Sequence, residues 1–303
     1  MRHFIDLTDL TRDELAHLLR EAARLKAAQK KREPNDSLAH RVVGLVFEKP
    51  SLRTRVSFEA AVAQLGGHSL FLSAQEVGLG WRETLEDFAR TMNHYVDALV
   101  LRVFKHSTVT GMAAASTIPI INGLSDMAHP CQVAADLLTI QECFGDLKGR
   151  TVVFVGDGNN VARSLALGCA MMGATFRLSA PAGYNFEKSF MSSVRKHVGD
   201  ARVESEADPI KAVKDADIIY TDVWTSMGQE AEREERLKKF AAYQVNSALL
   251  AKAPKHAKVL HCLPAHRGEE ITGDVLDGPQ CVAFEQAGNR LHAQKAILEW
   301  LVK

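Results

Sequence analysis

Charge of one sign is what this sequence of 303 residues lacks most plainly: 37 lysines and arginines stand against 37 aspartates and glutamates, a formal net charge of +0. That balance leaves no electrostatic footprint for nucleic acid or an anionic membrane surface and favours a small substrate. Cysteine is also scarce. The five are odd in number and scattered, with no Cys-x-x-Cys pair and no His/Cys ligand spacing. This excludes a disulfide frame and a structural zinc as expectations and suits a reducing compartment. No apolar run approaches a membrane span, and Met1 to Leu7 has the character of neither a signal nor a transit peptide, so a cytoplasmic location is expected. The length exceeds one typical domain, and two are expected.

What is present begins at Lys49-Pro50-Ser51-Leu52-Arg53-Thr54-Arg55. Upstream, Arg41 to Phe47 reads as a near-continuous apolar β-run; downstream, Val56, Phe58, Ala60, Ala61 and Leu65 are spaced for a helix packed on a sheet. Ser51 then falls near an N-cap. Unpaired backbone N–H groups at a helix N-terminus, joined by the side chains of Ser51, Arg53 and Thr54, predict an oxyanion site with phosphate as its occupant.

An opening helix is expected from Thr11 to about Lys31, capped by Asp9 or Thr11, with Leu15, Leu18, Leu19, Ala22 and Leu25 on one face. Strands are expected at Ser69–Leu72, Val96–Val103 and Ile118–Gly123, the second carrying Arg102 at the end where a parallel sheet exposes ligand-binding positions. Between the first two, Ser73 to Trp81 reads as a loop with Gly78 and Gly80, and Glu83 to His94 as a helix. His129-Pro130-Cys131-Gln132 starts a further helix with proline at its first position, which sets His129 and Gln132 at a second helix N-terminus. Asp146 to Arg150 is a turn, and Thr151 to Gly156 opens a new strand-and-helix alternation, so the domain boundary is expected there.

Gly156-Asp157-Gly158-Asn159-Asn160-Val161 half-matches a dinucleotide fingerprint and keeps an NAD-dependent oxidoreductase open. The third glycine is missing, and where an acid would bind ribose the strand reads Phe176-Arg177-Leu178-Ser179-Ala180. Asp217 to Asp222 is the next strand, leaving Asp222 at its carboxyl end, and Glu230 to Lys239 alternates charges as a solvated helix face does. Val259 to Pro264 is a strand ending in His261-Cys262-Leu263-Pro264, and a last helix begins near Phe284 and carries Gly288 and Arg290.

Ser51-x-Arg53-Thr54-Arg55, followed by Val56-Ser57-Phe58-Glu59 and Leu65-Gly66-Gly67-His68, resembles the carbamoyl-phosphate signature of the aspartate and ornithine carbamoyltransferases. His129-Pro130-x-Gln132, the run Gly156 to Val161, Asp222-x-Trp224-x-Ser226-Met227-Gly228 and His261-Cys262-Leu263-Pro264 extend the likeness over nearly the whole chain. Ser-Met-Gly resembles the ornithine branch in particular. The resemblance implies an α/β fold of two doubly wound parallel-sheet domains with the active site in the interdomain cleft. Residues 1–145, completed by a C-terminal helix 286–303, would bind carbamoyl phosphate, and residues 146–285 would bind ornithine.

Residue by residue, it implies that Ser51, Leu52, Arg53, Thr54, Arg102, His129, Gln132, Cys262, Leu263 and Arg290 bind carbamoyl phosphate. Asn160, Asp222, Ser226 and Met227 would bind L-ornithine, and Arg102, His129, Asp222 and Cys262 would carry the catalysis. The products would be L-citrulline and phosphate, as part of arginine metabolism, with no metal or organic cofactor, in a homotrimer or a multiple of it. Two positions depart from the family's pattern: Gly78 stands where glutamine or histidine is usual, and Gly288 where an acid is usual. Arg82 is therefore expected to reach the carbamoyl phosphate of a neighbouring subunit. Carbamoyltransferases acting on putrescine, acylated ornithine or aspartate are the nearest alternatives. A binding or regulatory protein on this fold would be expected to lack one of Arg53, Arg102, His129 and Asp222, and all four are present.

Overall fold

A computed structural model describes residues 1–225 and 230–303, the side chain of Glu230 excepted. The chain divides into two compact units: unit 1 is Met1–Leu138 with Gly288–Lys303, and unit 2 is Thr139–Ala287.

Unit 1 is built on four parallel strands, β1 (Val42–Phe47), β2 (His68–Ser73), β3 (Ala98–Arg102) and β4 (Ile120–Leu124), in the order β2-β1-β3-β4. Its main helices are α1 (Arg12–Lys30), α2 (Leu52–Gln64), α3 (Leu85–Met92), α4 (His106–Ala115) and the start of α5 (Pro130–Phe144). Each begins or packs for a local reason. Thr11 accepts the Glu14 N–H while Glu14 returns to the Thr11 N–H, a reciprocal cap that starts α1 with its leucine face buried. Val43, Leu45 and Val46 on β1 and the whole of β3 are buried, as the strands of a parallel sheet covered on both faces must be. The chain winds outward from β1 to β2, then crosses back to β3 on the other side of β1. Such a reversal leaves a crevice beyond the carboxyl ends of the two strands, where Phe47 and Arg102 are register partners.

Unit 2 repeats the plan with β5 (Thr151–Val155), β6 (Thr175–Ser179), β7 (Arg202–Ser205), β8 (Ile218–Thr221) and β9 (Lys258–His261), all parallel, in the order β7-β6-β5-β8-β9. Around it run α6 (Asn160–Met171), α7 (Lys188–His197), α8 (Arg233–Phe240) and the start of α9 (Ala283–Val302). Here the winding reverses between β5 and β8. Val153, Val155, Ile219, Trp224, Phe240, Val259 and Ile271 belong to the core on one side of this sheet.

The loop expected after the strand at 69–72 is partly helical: Ala74–Val77 form one turn, closed by Gly78 in the left-handed region at φ 68°. The solvated face expected for Glu230 to Lys239 holds over most of 231–239 and needs correction at Arg236, which is buried. Among the described residues, no helix is long and apolar enough to cross a membrane.

Candidate active site

In unit 1 the sequence motifs converge. Ser51 is the N-cap of α2 and accepts the Thr54 N–H at 3.3 Å. Arg53 is half-buried and Leu52 exposed on the same first turn, while Thr54 turns inward and is buried. Thr54 Oγ1 accepts from Arg290 Nη2 at 2.8 Å and from Arg102 Nη1 at 3.4 Å. Arg102 is the last residue of β3, and Arg290 projects from α9, which brings two guanidinium groups from distant parts of the chain onto one hydroxyl. Arg290 Nη1 donates in turn to Gln132 Oε1, and Gln132 Nε2 donates to the buried Asp136 at 2.8 Å. Both ends of the Gln132 amide are thereby oriented, leaving a second lone pair on Oε1 for a donor. His129, just before α5, is buried. Burial first, then the charges of Arg290 and Arg102, hold its imidazole well below the usual value. The ring is neutral at neutral pH and can donate from one nitrogen. Beside it Cys131 donates to the Asn122 carbonyl at 3.3 Å, and burial pushes its thiol up to about 12. Cys131 is an apolar packing group there, not a nucleophile.

In unit 2 the strands flanking the reversal carry the polar groups. Asp222, directly after β8, is buried and accepts three hydrogen bonds: from Cys262 Sγ at 2.9 Å, from Asn159 Nδ2 at 2.9 Å and from the Val223 N–H at 2.8 Å. Asn159 caps α6 by accepting from Val161 and Ala162. Cys262 and Leu263 follow β9 in a turn where Leu263 adopts φ 58°, a left-handed conformation unusual for a leucine. That turn is held from behind. The Leu263 N–H donates to His261 Nδ1 at 2.8 Å, so the other ring nitrogen carries the proton, and it faces Glu270 at 3.0 Å with both side chains fully buried.

Residues 2–142 match a family model described as the carbamoyl-P binding domain of aspartate/ornithine carbamoyltransferase, and residues 148–301 match one described as its Asp/Orn binding domain. The chain belongs to the aspartate/ornithine carbamoyltransferase family. It is 48% identical over 302 residues to a protein of Methanosarcina mazei named Ornithine carbamoyltransferase, covering 100% of this chain and 99% of the relative. A Pyrococcus furiosus protein named "Ornithine carbamoyltransferase, anabolic" is 48% identical over 299 residues, covering 98% and 95% of the two chains. A solved structure of ornithine carbamoyltransferase from the same organism superposes with a TM-score of 0.96, covering 99% of this chain and 97% of that one.

At Gly78, singled out in the sequence, the turn is tight. A Cβ built at Gly78 would stand 2.6 Å from Arg82 Cβ, in a residue already at positive φ. The turn closes on itself, with the Arg82 N–H donating to the Gly78 carbonyl at 2.9 Å, and it presents Trp81 at 78% exposure beside an exposed Arg82. Gly288 is simply an exposed residue inside α9, which runs through it unbroken.

Two sequence-level expectations lie outside the described residues, those for Ser226 and Met227. Asn160 is half-buried on the first turn of α6, and its Oδ1 accepts the Val161 N–H at 3.0 Å. The neighbour that sequence reasoning passed over, Asn159, is the one that touches Asp222. An asparagine directly before an apolar helix is an N-cap signal, and that signal was available. A carboxylate, a thiol and a ring nitrogen of Asp222, Cys262 and His261 lie within 4.8 Å of one another. Both nitrogens of His261 are already committed, to Leu263 and Glu270, which disqualifies it as a metal ligand without rearrangement.

Proposed function

We propose that this protein transfers the carbamoyl group of carbamoyl phosphate to the side-chain amine of L-ornithine, giving L-citrulline and phosphate in the direction of arginine synthesis. Its reaction needs the phosphate held, the carbonyl oxygen polarised and a neutral amine. Unit 1 supplies the first two. Ser51, Arg53 and Thr54, with the backbone at Leu52, hold the phosphate, and Arg102 reaches from it to the carbonyl oxygen. His129 donates to that oxygen as a neutral imidazole, which its depressed pKa supports. Gln132, oriented by Arg290 and Asp136, accepts from the carbamoyl NH2. Unit 2 handles the acceptor. Asn160, Ser226 and Met227 hold the amino-acid portion of ornithine, while Asp222 and Cys262 face the side-chain amine, Asp222 pairing with its charge and taking up the proton it sheds. Cys262 and Leu263 also border the carbamoyl group. The amine lone pair forms a C–N bond at the carbonyl carbon, the tetrahedral intermediate collapses, and the C–O bond to phosphate breaks.

The observation that carries this reading is the Cys262–Asp222 pair at 2.9 Å, in a chain matching named ornithine carbamoyltransferases end to end. In this reading the pair offers a cationic side-chain amine a charge partner and a proton acceptor. The active species is a cytoplasmic homotrimer or a multiple of it, a reading supported by the exposed Trp81–Arg82 turn and by five free thiols. Purified protein, radiolabelled carbamoyl phosphate and a panel of ornithine, N-acetylornithine, putrescine and aspartate test the assignment. Ornithine is expected to give the ureido product fastest; faster turnover of any other acceptor would overturn it.

A further inference from the structure

The helix read from the sequence as a solvated run of alternating charge holds one charge that water does not reach. Arg236, in the middle of α8, is 5% exposed. Its Nη1 donates to the Asp157 carboxylate at 2.7 Å and to the Trp224 carbonyl at 2.8 Å, and its Nε donates to Glu232 at 3.0 Å. The guanidinium carbon lies 4.9 Å from the centre of the Tyr184 ring. The two Nη1 partners belong to different strands' ends. Asp157 sits in the turn after β5, and Trp224 stands two residues beyond Asp222 after β8. These are the two strands between which the winding of unit 2 reverses.

Asn159 and Asp222 lie on the same two segments and meet at 2.9 Å. The Asn159 N–H also donates to the Asp157 carbonyl at 2.7 Å, so the contact from Arg236 to Asp157 is one residue pair removed from the contact of Asn159 with Asp222. We propose that Arg236 is a positioning residue: its Nη1, donating to both, fixes the turn after β5 against the segment after β8 and thereby holds Asn159 on Asp222. The inference rests on the role given above to Asp222.

The residue type matters. An arginine's rigid plane lets Nε hold Glu232 while Nη1 serves the Asp157 carboxylate and the Trp224 carbonyl, whereas a lysine is a point charge on a flexible stem. Burial, with a further push from Asp222, raises the Asp157 carboxyl, and Arg236 works against that rise. Without Arg236 the half-buried acid would lose its counter-charge, the costly half of breaking a largely desolvated pair. The turn carrying Asn159 would then lose its anchor to Trp224.

Two readouts on Arg236→Gln and Arg236→Lys test the proposal. Hydrogen exchange on the substrate-free protein reads the clamp directly. Arg236→Gln is expected to speed exchange together at 156–160 and at 222–224 while β6 keeps its wild-type rates, with Arg236→Lys between. Acceleration confined to α8, or spread through β6 as well, would overturn it. Kinetics reads the consequence: kcat/KM for ornithine is expected to fall about 100-fold in Arg236→Gln, the scale of a misplaced catalytic group. The dissociation constant for carbamoyl phosphate is expected to hold within about twofold. An equal loss of carbamoyl-phosphate affinity would mean a general structural defect and would overturn the assignment. Wild-type protein that fails to carbamoylate ornithine would refute the proposed function instead, and the exchange result would still decide the clamp.

Discussion

His129 illustrates how a single buried side chain ties the site to stability. Loss of water, and after it the charges of two arginines, depress its pKa, so the unfolded chain takes up a proton near the ordinary value of 6.5 while the folded chain does so only well below it. Stability is therefore fullest above 6.5 and falls as the pH drops below it, by at most about 1.4 kcal/mol per pH unit for one proton, until the folded imidazole itself titrates. Replacing the ring by a group that cannot titrate removes this part of the slope. Denaturant midpoints of wild type and His129→Asn, followed from about pH 7.5 to about pH 5, are expected to converge as the pH falls. Parallel curves would show that the ring titrates normally. At this scale the sequence was informative where a motif fixes a residue beside a helix start, as with Ser51, Thr54, His129 and Gln132. It was misleading where a charge looks like its neighbours. Arg236 stands among glutamates and lysines in Glu230 to Lys239, and its burial against Tyr184 and Phe240 and its bonds to Asp157 and Trp224 distinguish it only in the fold.

Elements were legible in proportion to their apolar patterning. The buried strands of both sheets lie within a few residues of where the sequence put them, because a strand covered on both faces leaves a continuous hydrophobic run. β7 escaped notice for the converse reason: Arg202, Glu204 and Ser205 are exposed on an edge strand, and nothing in its composition marks burial. The turn at Ala74–Val77 is a single helical turn, too short for any periodicity to register. Helix α9 is a different case, since its sequence contains a residue that weakens it. Gly288 is exposed inside the helix, and a Cβ built there meets no atom within 4 Å. Alanine at such a site restricts the unfolded chain and favours the helix, by about 1 kcal/mol. Gly288→Ala is thus expected to raise the midpoint of chemical denaturation and leave carbamoyl-phosphate binding unchanged. A lower midpoint would show that the glycine is kept for a backbone reason.

At the scale of the whole molecule, the doubling of one design explains why a chain of this length carries two sets of polar groups. Each sheet winds outward from a central strand and then reverses, and each reversal places side chains from non-consecutive segments at adjacent carboxyl ends. The order of strands was not readable from hydrophobic patterning, which gives elements but not neighbours; the family resemblance implied two doubly wound parallel sheets, and the structure supplies the order within each. What the chain's own packing adds is the turn from Gly78 to Arg82. A Cβ at Gly78 would stand 2.6 Å from Arg82 Cβ at φ 68°, so any side chain there would force the turn to shift, and Arg82 is an exposed charge on that turn. An exposed tryptophan beside it is a large apolar group left for a neighbour to cover. If Arg82 completes the phosphate site of an adjacent subunit, two variants with opposite defects can repair each other. Arg53→Ala is expected to be inactive because its own phosphate site is damaged, and Arg82→Ala because it fails its neighbour. Under the proposed trimeric assembly, the two unfolded and refolded together are expected to form mixed trimers in which some sites combine an intact Arg53 with a neighbour's intact Arg82, and activity is expected to return in part. No recovery in confirmed mixed trimers, or full activity of Arg82→Ala alone, would show that this arginine serves no neighbouring site.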